Sequence, residues 1–523
     1  MKTTIVFLIA ILLLALALRL APWGDNRFLE DEALYAAWGL QIATGADPML
    51  DNEPADKPPV HPYTLALSFL LFGSPTDADL DRNESAARLP SLFASVASVA
   101  LVYALGRQLY GDVQVGLVAA LLLALSPFDI LFASTAFTDP LMVALALGAL
   151  LAAAKGKLGI AGLLAGLSAA TKQQGLLFLP LVVAIGVVSS GRLGKPVLAW
   201  LRFVAAFAAV AGAAFWWDAA RTQRPGFWTQ GLVSYGSLGL ASPELWAERA
   251  RDWLRLAADF WVSPWFNALL LTALLVWAVL SLRGAKGVNI GQKEILRFAA
   301  ARPPEAGGTG GPACQNDNPK SHTVDLILLV FVIGFLVFHW LLTFQVWDRY
   351  LLGLVPIVAL LAARAVVGPG RAIRSRPWRM AYTAGVGLVV LASLAGPVSR
   401  AADSKLPLGG DHGAYDGIDQ LAEYVRANVP PGAVLYHHWM GYHYRFYLYG
   451  APLRLHWYPN PADLVQDAVD YRREPRYIAF PSFRDSAPTR AALENAGIQL
   501  LPVYGTTRRD GTVSFQLYRL EGP

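Results

Sequence analysis

Apolar residues run in long unbroken stretches joined by short polar segments. Thr4 to Ala21 is almost wholly apolar, and similar runs recur at 87–106, 113–131, 139–154, 159–172, 175–190, 196–217, 261–282, 323–343, 350–367 and 379–397. Crossing a bilayer takes roughly 20 apolar residues in a helix, so the pattern predicts about eleven transmembrane helices. Two short runs meet at Lys172. Pro59 to Phe72 is apolar but bracketed by Pro58-Pro59 and Gly73, which predicts a helix lying at or dipping into the interface. The first run follows Lys2 as a signal peptide would, yet it continues to Arg19 without a small-x-small cleavage site and reads as a retained anchor.

Two segments break the pattern. Residues 284–322, with Arg302-Pro303-Pro304 and Gly307-Gly308-Thr309-Gly310-Gly311, hold too few apolar residues to pack and predict a flexible cytoplasmic loop. After residue 398 the pattern turns soluble. Helical periodicity at Ile418–Ala427, 442–449, Ala462–Tyr471 and Thr489–Ala496 alternates with strand-like Ala433–Tyr436, Leu453–Trp457 and Tyr477–Phe480, before an Arg-Asp-Gly hairpin signal at 509–511. The expectation is a polytopic α-helical membrane domain over 1–397, with an outer loop at 23–86, and an extracytoplasmic α/β domain over 398–523.

Composition agrees: 55% of the 523 residues are hydrophobic, 15% are charged, and the mean hydropathy is +0.41. The net charge of +5 is spread over short loops rather than one face, which argues against nucleic-acid binding. Cys314 is the single cysteine, so an internal disulfide framework and a thiolate metal cluster are excluded. Lysine and arginine favour the cytoplasmic side of a membrane. With the N-terminus inside, the inner loops hold Lys2, Arg107, Lys155, Lys157, Arg192, Lys195 and the cluster Arg371, Arg374, Arg376 and Arg379. The same assignment gathers Asp31, Glu32, Lys57, Asp129, Asp139, Lys172, Asp218 and Asp348-Arg349 on the outer side, which predicts a one-sided site.

Glu30-Asp31-Glu32 opens a stretch in which Leu34, Trp38 and Ile42 recur at helical spacing along the outer surface. Acids favour a helix N-terminus, so capping competes with a functional role there. Asp56-Lys57-Pro58-Pro59 follows in the same loop, and the two prolines fix the backbone that presents Lys57. Thr138-Asp139-Pro140 reads in isolation as an N-cap before a first-turn proline. Lys172-Gln173-Gln174 has no acid nearby in sequence and needs water, lipid phosphate or a ligand anion. Trp347-Asp348-Arg349-Tyr350 is either an interfacial anchor or a phosphate clamp.

Together, Glu30 to Tyr35, Asp56-Lys57-Pro58-Pro59-Val60-His61-Pro62-Tyr63, Thr138-Asp139-Pro140-Leu141, Ala170-Thr171-Lys172 and Asp348-Arg349-Tyr350-Leu351-Leu352 resemble the motifs of the C-type membrane glycosyltransferases. The branch resembled holds the protein O-mannosyltransferases and the lipid A aminoarabinose transferase, and the likeness covers roughly residues 1–370 in order. It implies transfer of a sugar, with inversion, from a polyprenyl-phosphate donor to an extracytoplasmic acceptor (lipid, glycan or protein) at the outer face of the cell membrane. By that resemblance Asp31 is the general base or the carboxylate that orients the acceptor, Asp139 is a second acid shaping the pocket, and Lys57, ahead of Lys172 and Arg349, holds the lipid phosphate, with Glu32, Asp56 and Tyr350 among the substrate-binding residues. Ala55-Asp56-Lys57 departs from the family's more usual residues before the lysine. Some relatives hold a divalent metal; His61 with Asp56 or Asp31 makes a partial ligand set, but no His-x-x-x-His spacing supports it. A secondary transporter and a catalytically silent scaffold subunit are the rival readings. The first is disfavoured by charges at one face and unmatched halves, the second by retention of Asp31, Lys57 and Asp139.

Overall fold

The computed structural model of the chain describes residues 2–75, 79–189, 197–235, 239–287 and 319–522. The loop expected over 284–322 falls, apart from its ends, outside these residues, as does Cys314. The N-terminal three-quarters is helical: α1 (Lys2–Leu20), α2 (Glu30–Thr44), α3 (Val60–Phe72), α4 (Leu80–Tyr110), α5 (Val113–Ala124), α6 (Pro127–Ala133), α7 (Asp139–Ala154), α8 (Leu158–Thr171), α9 (Leu179–Ser189), α10 (Val197–Ala220), α11 (Phe227–Ser234), α12 (Trp246–Ala258), α13 (Pro264–Gly287), α14 (Pro319–Leu341), α15 (Val355–Ala372) and α16 (Arg376–Ala402). Tight 3₁₀ turns at Gln173–Phe178 and Asp348–Leu354 lead into α9 and α15. Among the described residues six helical segments are long and apolar enough to cross a membrane: Lys2–Leu20, Leu80–Tyr110, Val197–Ala220, Ser321–Leu341, Asp348–Arg371 and Arg376–Ala402. Shorter apolar helices lie at Val60–Phe72, Asp139–Ala154, Leu158–Thr171, Gln173–Ser189 and Pro264–Val276.

The run expected as one helix over 113–131 is broken. The axes of α5 and α6 bend by 62° where Ser126 caps α6 and Pro127 occupies its first turn. A break inside a bilayer frees backbone carbonyls that must find donors. Arg19, fully buried on α1, supplies them: Nη1 donates to Ala124 O at 3.3 Å, Nη2 to Leu123 O at 3.2 Å, and the same guanidinium pairs with Asp129. Ser95 Oγ donates to Asp129 at 2.6 Å, so the acid too is satisfied. Asp129, grouped by sequence with the outer polar residues, is thus part of this brace.

Small residues let helices approach closely where lipid supplies no hydrophobic drive. On α8, a Cβ at Gly162 would stand 2.1 Å from Phe203 O of α10. The pair therefore packs backbone to backbone.

Beyond α16 come α17 (Ile418–Asn428), β1 (Val434–His437), α18 (Gly441–Tyr447), β2 (Arg454–Trp457), α19 (Pro461–Asp470), β3 (Arg476–Pro481), α20 (Ala487–Asn495), β4 (Gln499–Thr507) and β5 (Val513–Glu521). The sheet runs β2-β1-β3-β5-β4, with β1 parallel to both neighbours and β5 antiparallel to β3 and β4. Leu435 stands opposite Leu455 and Tyr477, and β3 is buried along its whole length, as a central strand covered on both faces must be. Hydrophobic spacing was enough to expect this alternation.

The helix beginning at Glu30 is enclosed by protein: Glu32 through Leu40 are all buried, because α3 packs on one side of α2 and the aromatic α18 on another. His443 Nε2 donates to Phe28 O at 2.9 Å, Tyr447 donates to Glu84, and Arg445 pairs with Glu53, which also accepts from Trp38 Nε1 at 3.3 Å. Burial pushes the His443 pKa down to about 4, so the ring is the neutral donor this contact needs.

Candidate active site

Asp31 lies in the first turn of α2, where Leu29 N donates to Glu32 Oε2 at 3.0 Å and fixes the start of the helix. The other Glu32 oxygen accepts from Ala136 N at 2.7 Å. With both oxygens on backbone donors, Glu32 braces the Asp31 turn against the segment before Asp139.

Three ion pairs surround the space in front of Asp31. Arg349 Nη2 donates to Asp31 Oδ2 at 2.6 Å, Lys172 Nζ donates to Asp139 Oδ1 at 2.6 Å, and Lys57 pairs with its neighbour Asp56. The Lys57, Lys172 and Asp139 side chains are at most 4% exposed, so each buried charge needs its partner. Aromatic rings fill the gaps: Lys57 Nζ sits 5.3 Å from the Tyr35 ring and 4.7 Å from that of Tyr235, Lys172 Nζ 4.6 Å from Tyr350, and the Arg349 guanidinium 4.8 Å from Phe137. Tyr235 and Tyr350 pack edge to face at 6.2 Å and join the lysines into one cluster. Burial alone would raise the Asp31 pKa, but Arg349, then Lys57 and Lys172, outweigh it and hold the carboxyl below its ordinary value.

The 3₁₀ turn after α8 closes the site from below. Gln173 Nε2 donates to Asp56 O at 2.8 Å, and Gln174 Nε2 donates to Tyr350 O at 2.9 Å while meeting His339 Nε2 at 3.1 Å. A cavity of about 210 Å³ opens here. Its wall is apolar, from Leu176, Leu177, Leu232, Phe338 and Phe344, and its polar end is Lys172 with Tyr235 and Tyr350. Two tyrosines of this lining, Tyr235 and Tyr350, have buried hydroxyls without a hydrogen-bond partner. An apolar groove ending in a lysine and two such hydroxyls suits an amphiphile with an anionic head.

His61 is buried, its ring edge-on to Tyr35, with Nε2 donating to Ala136 O at 3.0 Å. Among the described residues no three His, Cys, Asp or Glu side chains converge as metal ligands, and Asp31, Asp56 and Asp139 each already hold a cation. The donor set does not fit a resident metal.

Asp31, Asp56, Lys57, Asp139, Lys172, Arg349 and Tyr350 thus come together from five separate segments. Sequence reasoning missed Tyr235 and His339. Tyr235 follows the short α11 with no motif around it, whereas the polar ends of α14 and the 3₁₀ turn could have pointed to His339.

This architecture is a fold shared with several solved structures. Over 100% of this chain and 99% of the other it is similar to ArnT from Cupriavidus metallidurans in the apo state (TM-score 0.63, 14% identity), and over 99% of each to the same protein bound to undecaprenyl phosphate (TM-score 0.59, 15% identity). The Archaeoglobus fulgidus oligosaccharyltransferase in the apo form matches 98% of this chain with 74% of its own length (TM-score 0.56, 13% identity). Residues 56–217, from Asp56 through Asp139 and Lys172, match the family model described as dolichyl-phosphate-mannose-protein mannosyltransferase. A search of curated proteins gives no match.

Proposed function

We propose that the chain transfers a sugar from a polyprenyl-phosphate carrier to an extracytoplasmic acceptor, with inversion at the anomeric carbon. The observation that carries this reading is the packing of the Asp31–Arg349, Asp56–Lys57 and Asp139–Lys172 pairs around Tyr35, Tyr235 and Tyr350, with Lys172 at the polar end of an apolar cavity. ArnT, whose fold is similar, is known bound to undecaprenyl phosphate, and the matched family model is named for a polyprenyl-type donor. The prenyl tail occupies the apolar groove and the phosphodiester meets the cations, taking over contacts that the acids make in its absence. Drawing Arg349 toward phosphate releases Asp31 and restores its basicity. An acceptor hydroxyl then attacks the anomeric carbon from the face opposite the phosphate, its proton passing to Asp31. The bond from the anomeric carbon to the phosphate oxygen breaks, and the polyprenyl phosphate leaves with the electron pair, held by Lys57, Lys172 and Arg349. Asp139 orients Lys172 and shapes the pocket.

In this reading the N-terminus is cytoplasmic, while the site and residues 398–523 lie outside the cell membrane, from the bias of lysine and arginine. The test is lipid analysis of the purified chain by mass spectrometry after incubation with polyprenyl-phosphate sugars. A bound polyprenyl-phosphate sugar, depleted on Lys57→Ala, supports the proposal; a chain that retains none contradicts it.

A further inference from the structure

At the carboxyl ends of the parallel strands the C-terminal sheet reverses its order: the chain leaves β1 to form β2 on one side and returns to place β3 on the other. Crevices at such reversals are where α/β sheets take ligands. On the β3 side of this reversal a crevice of about 690 Å³ is walled by Phe480, Arg484, Arg490, Gln516 and Tyr518, from the end of β3, the turn into α20, α20 itself and β5. Its two arginines lie flat on aromatic rings: Arg490 is 4.9 Å from the Phe480 ring and 4.4 Å from Tyr518, and Arg484 is 4.4 Å from Trp439. Arg490 Nε donates to Ser486 Oγ, and among the described residues neither guanidinium has a carboxylate partner, the nearby Asp485 being turned to Ala487 N at 2.9 Å. Trp439 beside them is 52% exposed, a large apolar ring presented to solvent on a polar surface.

A chain of packed side chains links this crevice to the candidate active site. The Phe483 ring packs on Tyr415 at 5.2 Å, Tyr415 donates to Glu30, and Glu30 precedes Asp31. From the other side, Trp439 leads directly into α18, which packs on α2. Planar rings suit the apolar faces of sugars, and unpaired guanidinium forks suit carboxylate or phosphate. We infer that the Trp439–Arg484–Arg490 crevice holds an anionic saccharide, the acceptor of the transfer. This rests on the function proposed above and names the acceptor class, whether the saccharide is free, polymeric or lipid-linked.

The test uses full-length protein in detergent micelles and in phosphatidylglycerol nanodiscs, with tri-galacturonate as acidic probe and maltotriose as neutral control, read by saturation-transfer NMR. Tri-galacturonate should bind in both settings and maltotriose more weakly. Arg484→Ser with Arg490→Ser should raise the Kd for tri-galacturonate about tenfold or more, and Trp439→Ala should erase saturation transfer to the sugar-ring protons. Undecaprenyl phosphate binding, measured in parallel, should be unchanged in these variants. Absence of probe binding, equal binding of maltotriose, or indifference to the substitutions overturns the inference. So does binding in micelles that nanodiscs abolish, which would make this face a membrane contact. If undecaprenyl phosphate fails to bind while tri-galacturonate binds at the crevice, it is the transfer reaction that fails and not the saccharide site.

Discussion

Arg349 donates to Asp31 at 2.6 Å, joining the turn before α15 to the first turn of α2 across 318 residues of sequence. In the proposed reaction the pair has two consequences. It fixes the carboxylate where the charges of Lys57 and Lys172 also reach it, and it keeps the acid ionised until another anion claims the guanidinium.

The pH profile should register this. A carboxyl held below its ordinary pKa stays ionised as pH falls through the usual carboxylate range, so the acidic limb of kcat/KM lies below that range. Arg349→Gln removes the largest charge opposing burial, and the limb should move to higher pH whatever happens to the plateau. An acidic limb that stays put in this variant would separate Asp31 from the rate.

Lys57→Ala should weaken the lipid-phosphate donor more than any acceptor. A charge-assisted contact to phosphate in a partly dry cavity is worth about 1.5–3 kcal/mol, so donor Kd should rise about tenfold or more. Arginine should rescue only in part, since its planar fork does not reproduce a compact ammonium between Tyr35 and Tyr235. An unchanged donor Kd with weakened acceptor binding would hand the phosphate to Lys172 or Arg349.

Topology can be read by cysteine labelling after Cys314→Ser removes the one native thiol. Impermeant reagent on intact cells should reach a cysteine placed at Gly511 and not one at Arg374. The opposite pattern would put Asp31 on the cytoplasmic side.

Gly162→Leu should separate α8 from α10, since even a Cβ there would stand 2.1 Å from Phe203 O. Overpacking of this kind costs about 1–3 kcal/mol, visible as a lower Tm in detergent, whereas the same change at the open Gly212 of α10 should leave the Tm near that of the parent.

Much of this was legible in the sequence because the signals were local. Each predicted apolar run holds a helix where described, since a run of apolar residues is a local signal, but the run over 113–131 is broken and among the described residues six segments, not eleven, are long and apolar enough to cross a membrane. Asp31, Lys57, Asp139, Lys172 and Arg349 were legible because a charge beside an apolar run has few inexpensive reasons to be there. What stayed hidden was pairing. Lys172 has no acid near it in sequence, and its partner Asp139 lies 33 residues away on another helix. Glu32 was ambiguous for the same reason, as its second ligand is the backbone of Ala136. The break between α5 and α6 was written in Ser126-Pro127, but its tolerance depends on Arg19, which joins it only in the fold.

The most direct test is turnover by Asp31→Asn with its bound donor measured in the same preparation. The amide keeps the size of the carboxylate and loses its basicity, so the variant should fold, retain the polyprenyl-phosphate sugar, and transfer it about 10² to 10⁴ times more slowly than the parent. Near-parental turnover by the purified Asp31→Asn protein would contradict the assignment of Asp31 as the base.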